Sequence, residues 1–163
     1  FLERAIEAEG LDNPLDLRFE AKHYGPYADR LRHLLDALDG SYLKSEKRIS
    51  DSDPLDTIWF NDTQRDKVAL YLKTEASAYL PALEKTTRLI DGFESPFGLE
   101  LLSTVDWLLA QEHVDPEPKA LLKGVSHWSE GDFAAQRKLK LFDLPKLELA
   151  LNRLQQVPLQ QAV

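Results

Sequence analysis

Cysteine and methionine are both missing from this chain. Without cysteine there can be no disulfide framework and no thiolate zinc centre, which fits a reducing compartment and a cytoplasmic location. Long apolar runs are missing as well. The longest, Val68 to Leu72, is five residues, whereas a membrane-spanning helix needs ~18 or more, so no membrane partner is expected. Glycine is scarce: seven residues leave little material for a phosphate cradle, and neither G-x-x-x-x-G-K nor G-x-G-x-x-G nor G-x-S-x-G occurs. Positive charge is in deficit. Twenty Lys and Arg against 28 Asp and Glu give a net charge of -8, the wrong sign for a generic phosphate binder. A basic partner surface fits better.

The chemistry-bearing residues that are present do not assemble into an enzyme motif. His23, His33, His113 and His127 lack metal-ligand spacing, and an isolated His beside aromatics is more often structural than a ligand. Ser41 to Lys44 reads S-x-x-K, but its companion K-T-G is absent, and four-residue matches arise by chance. No catalytic residue, metal site or cofactor is implied. The 163 residues, 43% hydrophobic, suffice for one core and are short for two. Because the chain opens FLERAIEAEG without an initiator, residues 1–163 are expected to be one domain from a longer protein.

Periodicity predicts a mostly helical α+β fold with a small antiparallel sheet between residues 16 and 61. Leu17, Phe19 and Ala21 alternate with Arg18, Glu20 and Lys22, the period of a half-buried strand. SYLKSEKRI and DTIWF supply two more strand candidates. Gly25 and Pro26 suit a tight turn, and a helix over Ala28 to Asp39 gathers Leu31, Leu34, Leu35 and Leu38 on one core-facing arc. From Asn61 onward the pattern is helical, broken or kinked at Pro81. The closing QQVPLQQAV reads as a frayed tail.

Two stretches are candidate interaction sites. Lys22, Tyr24, Tyr27, Arg30 and Arg32 cluster around the Gly-Pro dipeptide, a mixture that can stack bases and hold phosphates of single-stranded DNA; the same residues can equally wall off a helix end. The second feature is acidic. Asp91 to Pro118 carries seven acids and no Lys or Arg, and Asp51 to Asp66 carries five aspartates against Arg65 alone. On the helix after Ser95, the residues Leu101, Leu102, Val105, Leu108 and Leu109 form the apolar arc, while Glu100, Ser103 and Trp107 share another stripe. An acid, a hydroxyl and a large aromatic on one stripe suit a partner contact. Asp51, Asp53, Asp56, Glu94, Glu100, Ser103 and Trp107 are therefore the candidate contacts for a basic partner.

KHYGPYADRLRHLLDALDGSYL, IDGFESPFGLELLSTVDWLL and VSHWSEGDFAAQRKLKLFDLPKLELALNRL together resemble the C-terminal domain of DarG antitoxins across most of the chain. The sequence departs from that pattern at Asp106, where the family motif carries a histidine. The resemblance implies a domain that binds and inhibits the cognate toxin DarT, an ADP-ribosyltransferase of single-stranded DNA. It also implies a fold distantly similar to the YjbR family. Removal of ADP-ribose from DNA would belong to a macrodomain that these residues do not include, so this chain itself is expected not to be an enzyme. Carboxylates standing where DNA phosphates would lie make mimicry of single-stranded DNA the expected mechanism. The alternative is a YjbR-like module that binds single-stranded DNA directly through the segment from Lys22 to Arg32.

Overall fold

The computed structural model describes residues 1–52 and 56–159. Their order is α1 (Leu2–Ala8), β1 (Glu20–Lys22), β2 (Gly25–Tyr27), α2 (Asp29–Leu38), β3 (Leu43–Lys44), β4 (Trp59–Phe60), α3 (Arg65–Lys73), α4 (Leu80–Ile90), α5 (Pro96–Ala110), α6 (Pro118–Ser126), α7 (Asp132–Leu141) and α8 (Leu144–Gln156), with short 3-10 turns at Ile49–Asp51, Asp62–Gln64 and Ser77–Tyr79. The class is the expected one, α+β and mostly helical. The expected sheet is divided among the described residues into two antiparallel pairs, β1 with β2 and β3 with β4, and Leu43 of β3 also bridges Asp39. The chain forms two compact units, one from Phe1–Leu15, Phe19–Tyr27 and Pro81 onward, the other from Asp16–Arg18 and Ala28–Leu80.

The first unit is organised by α5. Ser95 caps it, its Oγ accepting from Gly98 N at 3.0 Å, and Pro96 opens the first turn where its missing N–H costs nothing. Gly98 has to be glycine, because a Cβ there would sit 2.7 Å from the Phe93 carbonyl oxygen. Leu101, Leu102, Val105 and Leu108 of α5 are buried against Leu121 and Val125 of α6 and Leu147, Ala150, Leu151 and Leu154 of α8. Each such leucine contributes roughly 1.5–3 kcal/mol of apolar transfer. Asp143 caps α8 through Lys146 N at 3.1 Å. The helix carries the chain to Leu159, which is buried and whose carbonyl accepts from Lys85 Nζ at 3.2 Å. The expected frayed tail is thus packed as far as Leu159, because that leucine has apolar area to bury; residues 160–163 lie outside the described part.

The turn of the first hairpin also differs from expectation. Lys22 pairs with Gly25 and Ala21 with Pro26, so His23 and Tyr24 make the two-residue turn and the Gly-Pro dipeptide lies in β2. Gly25 is needed for a different reason. Its φ is +121° and a Cβ would lie 3.1 Å from Ser103 Oγ, so only glycine lets β2 pass so close to α5. Pro26 costs no ladder partner in a strand that is itself an edge.

The second unit has a thinner interior. Leu31, Leu34 and Leu35 of α2 are half-buried and Leu38 is exposed, not core as the arc predicted. The arc is real, but within this unit α2 packs on the short Ile49–Asp51 turn, which is too small to cover four leucines. Buried Asn61, just after β4, holds the turn that leads into β3: its backbone N–H donates to Tyr42 O at 2.8 Å and its Nδ2 to Ser41 O at 2.7 Å. Asp39 accepts from Ile49 N at 3.0 Å. The helical stretch before Pro81 ends at Lys73, and Pro81 lies in the first turn of α4, where it starts a helix instead of kinking one.

Candidate functional site

In the first unit a chain of ionic and ring contacts runs from α5 through α7 to the surface hairpin. Lys138 of α7 is wholly buried, its ammonium 4.8 Å from the Trp128 ring centroid and 5.6 Å from that of Phe142. It donates to Glu100 Oε1 at 2.9 Å and to Thr104 Oγ1 at 3.2 Å. Glu100 also receives both prongs of the Arg137 guanidinium, Nη2 to Oε2 at 3.0 Å and Nη1 to Oε1. Burial pulls the Glu100 carboxyl upward, but hydrogen bonds and charge from Arg137 and Lys138 outweigh it and hold the group below its ordinary value. Burial lowers Lys138, partly opposed by Glu100, whereas the hydrogen bond that Arg137 donates to Glu100 raises Arg137.

This layer fixes the hairpin above it. Arg137 lies 4.7 Å from the Tyr24 ring centroid, and Trp128 Nε1 donates to the Lys22 carbonyl at 3.0 Å. His23 meets Tyr24 edge-on, centroids 4.8 Å apart at 89°, and stacks on Phe133 at 5.3 Å and 19°. The tip is open to solvent all the same: Tyr24 is 56% exposed and Phe133 82%. A shallow depression of about 320 Å³ is lined by Lys22, His23, Tyr24, Gly25, Pro26, Tyr27 and Glu130.

The residues of the predicted single-strand set fall in both units. Lys22, Tyr24 and Tyr27 belong to the first unit, Arg30 and Arg32 to the second. Lys22 is paired with Glu20 at 2.8 Å. Arg30 reaches Asp16 at 3.4 Å and Arg32 donates to the Ser50 carbonyl at 2.7 Å.

The predicted partner-contact stripe on α5 is likewise rearranged. Glu100 is turned inward, since it shares a stripe with Thr104 and Leu108, both wholly buried. Ser103 is half-buried and its Oγ donates to the Glu100 carbonyl at 3.2 Å. Trp107 is half-buried too, its Nε1 donating to Glu112 Oε1 at 3.2 Å. Asp106 pairs with Arg4. Within the acidic window of this unit, Asp91, Glu94, Asp115 and Glu117 are the exposed carboxylates. In the second unit Asp51, Asp56, Asp62 and Asp66 are exposed; Asp56 meets Lys47 at 3.3 Å and Asp62 meets Arg65. Asp53 lies outside the described residues.

Periodicity did not single out Lys138, Arg137 or Phe133. A signal for the first existed: Lys138 follows buried Ala134 by one helical turn, so α7 carries a lysine on its apolar stripe. Such a lysine needs a buried carboxylate.

The fold and this surface define a mostly helical α+β protein with an aromatic hairpin braced by a buried ion network. No family model matches the chain. In sequence it is 29% identical over 153 residues to a protein named DNA ADP-ribosyl glycohydrolase from Mycobacterium bovis, and equally to one of that name from Mycobacterium tuberculosis. These matches cover 90% of this chain and 41% of each relative. A protein of the same name from Thermus aquaticus is 37% identical over 110 residues, 66% of this chain and 28% of that protein. The chain is therefore similar in sequence to proteins named DNA ADP-ribosyl glycohydrolase, and it spans about two fifths of the length of the mycobacterial relatives. No helix among the described residues is long and apolar enough to cross a membrane.

Proposed function

We propose that this chain is the toxin-neutralising part of a DarG-like protein, binding and inhibiting a DarT-like ADP-ribosyltransferase of single-stranded DNA. The activity in the name of the relatives is assigned, in this reading, to a macrodomain outside these 163 residues. The observation that carries the mechanism is the surplus of exposed carboxylate. The chain has a net charge of -8, and Asp51 and Asp56 of the second unit are at its surface, Asp56 in an exposed pair with Lys47. Such groups can occupy phosphate positions in a basic groove and speed encounter with it. Because Glu100 is neutralised by Arg137 and Lys138, it drops out of the contact set. Trp107 and Ser103 are half-buried, which leaves the carboxylates as the leading contacts.

The test is inhibition of the toxin's DNA modification by the isolated chain, with single-stranded DNA titrated as competitor. Asp51→Lys with Asp56→Lys should slow association at least severalfold at low salt, with the effect shrinking as screening shortens toward ~8 Å at physiological ionic strength. Simultaneous binding of toxin to this chain and to DNA, without mutual weakening, would rule out mimicry and point to inhibition at a remote site.

A further inference from the structure

The depression at the first hairpin has a composition that neither the acidic surface nor the toxin reading uses. Its walls are His23, Tyr24, Tyr27 and Pro26, with Glu130 among the lining residues. Two of the rings have neighbours of their own. Phe133 stacks on His23, and Arg137, itself clamped by Glu100, sits over Tyr24. A fixed arrangement of rings open to water costs little to order on binding, which favours a flat aromatic ligand. The volume of about 320 Å³ is at the low end for a small-molecule site. Lys22 is the one cationic side chain in the lining, and it is paired with Glu20 at 2.8 Å. The site is therefore equipped to take a single base and is poorly equipped to track a phosphate backbone.

We propose that this depression is a nucleobase subsite: the base stacks among His23, Tyr24 and Tyr27, and its exocyclic amine donates to Glu130. A carboxylate accepts from an amine and repels a carbonyl, so cytosine is favoured over thymine, whose matching position is a keto oxygen. The base can come from a single strand or from a free nucleotide; the chemistry recognised is the same. This site goes beyond the toxin reading and does not depend on it.

Fluorescence anisotropy of short oligo(dC) and oligo(dT) with the isolated chain at low ionic strength tests the idea. Oligo(dC) should bind about tenfold more tightly than oligo(dT), and Glu130→Ala, at an exposed position, should abolish that preference. His23→Ala should weaken both oligonucleotides by about tenfold through the lost stack. In competition, displacement by dCMP identifies a free nucleotide as sufficient; binding of the oligonucleotide without displacement by dCMP identifies the strand as the source. Absence of binding, equal affinity for the two sequences, or a preference that survives Glu130→Ala would overturn the subsite. So would loss of toxin capture in His23→Ala with no change in oligonucleotide affinity, which would make the surface a protein contact. Failure of toxin inhibition in the unmodified chain bears on the toxin reading alone.

Discussion

Glu100→Gln and Lys138→Met remove the two ends of the same buried ion pair, and the structure makes their consequences unequal. Gln at position 100 keeps the volume but removes the charge, leaving Lys138 wholly buried between Trp128 and Phe142 with neutral oxygens as its partners. An uncompensated buried charge of this kind costs about 3–5 kcal/mol. The loss has a ceiling. Lys138 can shed its proton, and from an ordinary value of 10.5 that costs about 5 kcal/mol at pH 7, at about 1.4 kcal/mol per unit. Lys138→Met is milder, because Glu100 keeps the forked bond from Arg137 and the thioether can pack against the two rings. It should cost about 1.5 kcal/mol or less. For a chain of this size the two variants should melt roughly 6–20 °C and under about 6 °C below the unmodified protein. Urea unfolding followed by tryptophan fluorescence would measure both. A second signature belongs to Glu100→Gln: raising the pH toward 10 should recover stability relative to the unmodified chain, as Lys138 gives up its charge. Equal losses in the two variants, or a loss below about 1 kcal/mol for Glu100→Gln, would refute the assignment of Lys138 as a cation held by Glu100.

Three further expectations follow from the same geometry. The Glu100 carboxyl is held below its ordinary 4.5, so its stabilisation is complete above that pH and is lost as pH falls through the lowered folded value; urea midpoints from pH 6 down to 3 should fall less steeply in Glu100→Gln, and parallel curves would contradict this. Gly25→Ala should cost about 1–3 kcal/mol from its positive φ, and Ser103→Ala should restore part of that, since it relieves the 3.1 Å contact but not the backbone strain; full restoration would mean that the contact alone mattered. Trp107→Ala should lower thermal stability, because the half-buried indole bonds Glu112, which in turn accepts from Ser129 Oγ at 3.3 Å; an unchanged melting temperature with faster toxin dissociation would return Trp107 to the contact surface.

Local chemistry determined the helices from the sequence alone. Ser95 with Pro96, Asp143 with Pro145 and the leucine spacing of α5 and α8 each act within one or two turns, so reading along the chain suffices to place them. The net negative charge was legible in the same way. Which carboxylates stay free was decided only by tertiary structure, because their partners are remote: Glu100 finds Lys138 at a separation of 38 residues, and Asp106 finds Arg4 at 102. A window of seven acids without a Lys or Arg thus loses Glu100 and Asp106 to distant cations. The hairpin makes the same point in backbone terms. The Gly-Pro dipeptide suits a turn locally, but the close approach of Gly25 to Ser103 puts it in the strand and hands the turn to His23 and Tyr24. Short-range propensity fixes elements; long-range charge pairing and steric fit fix which faces remain for a partner.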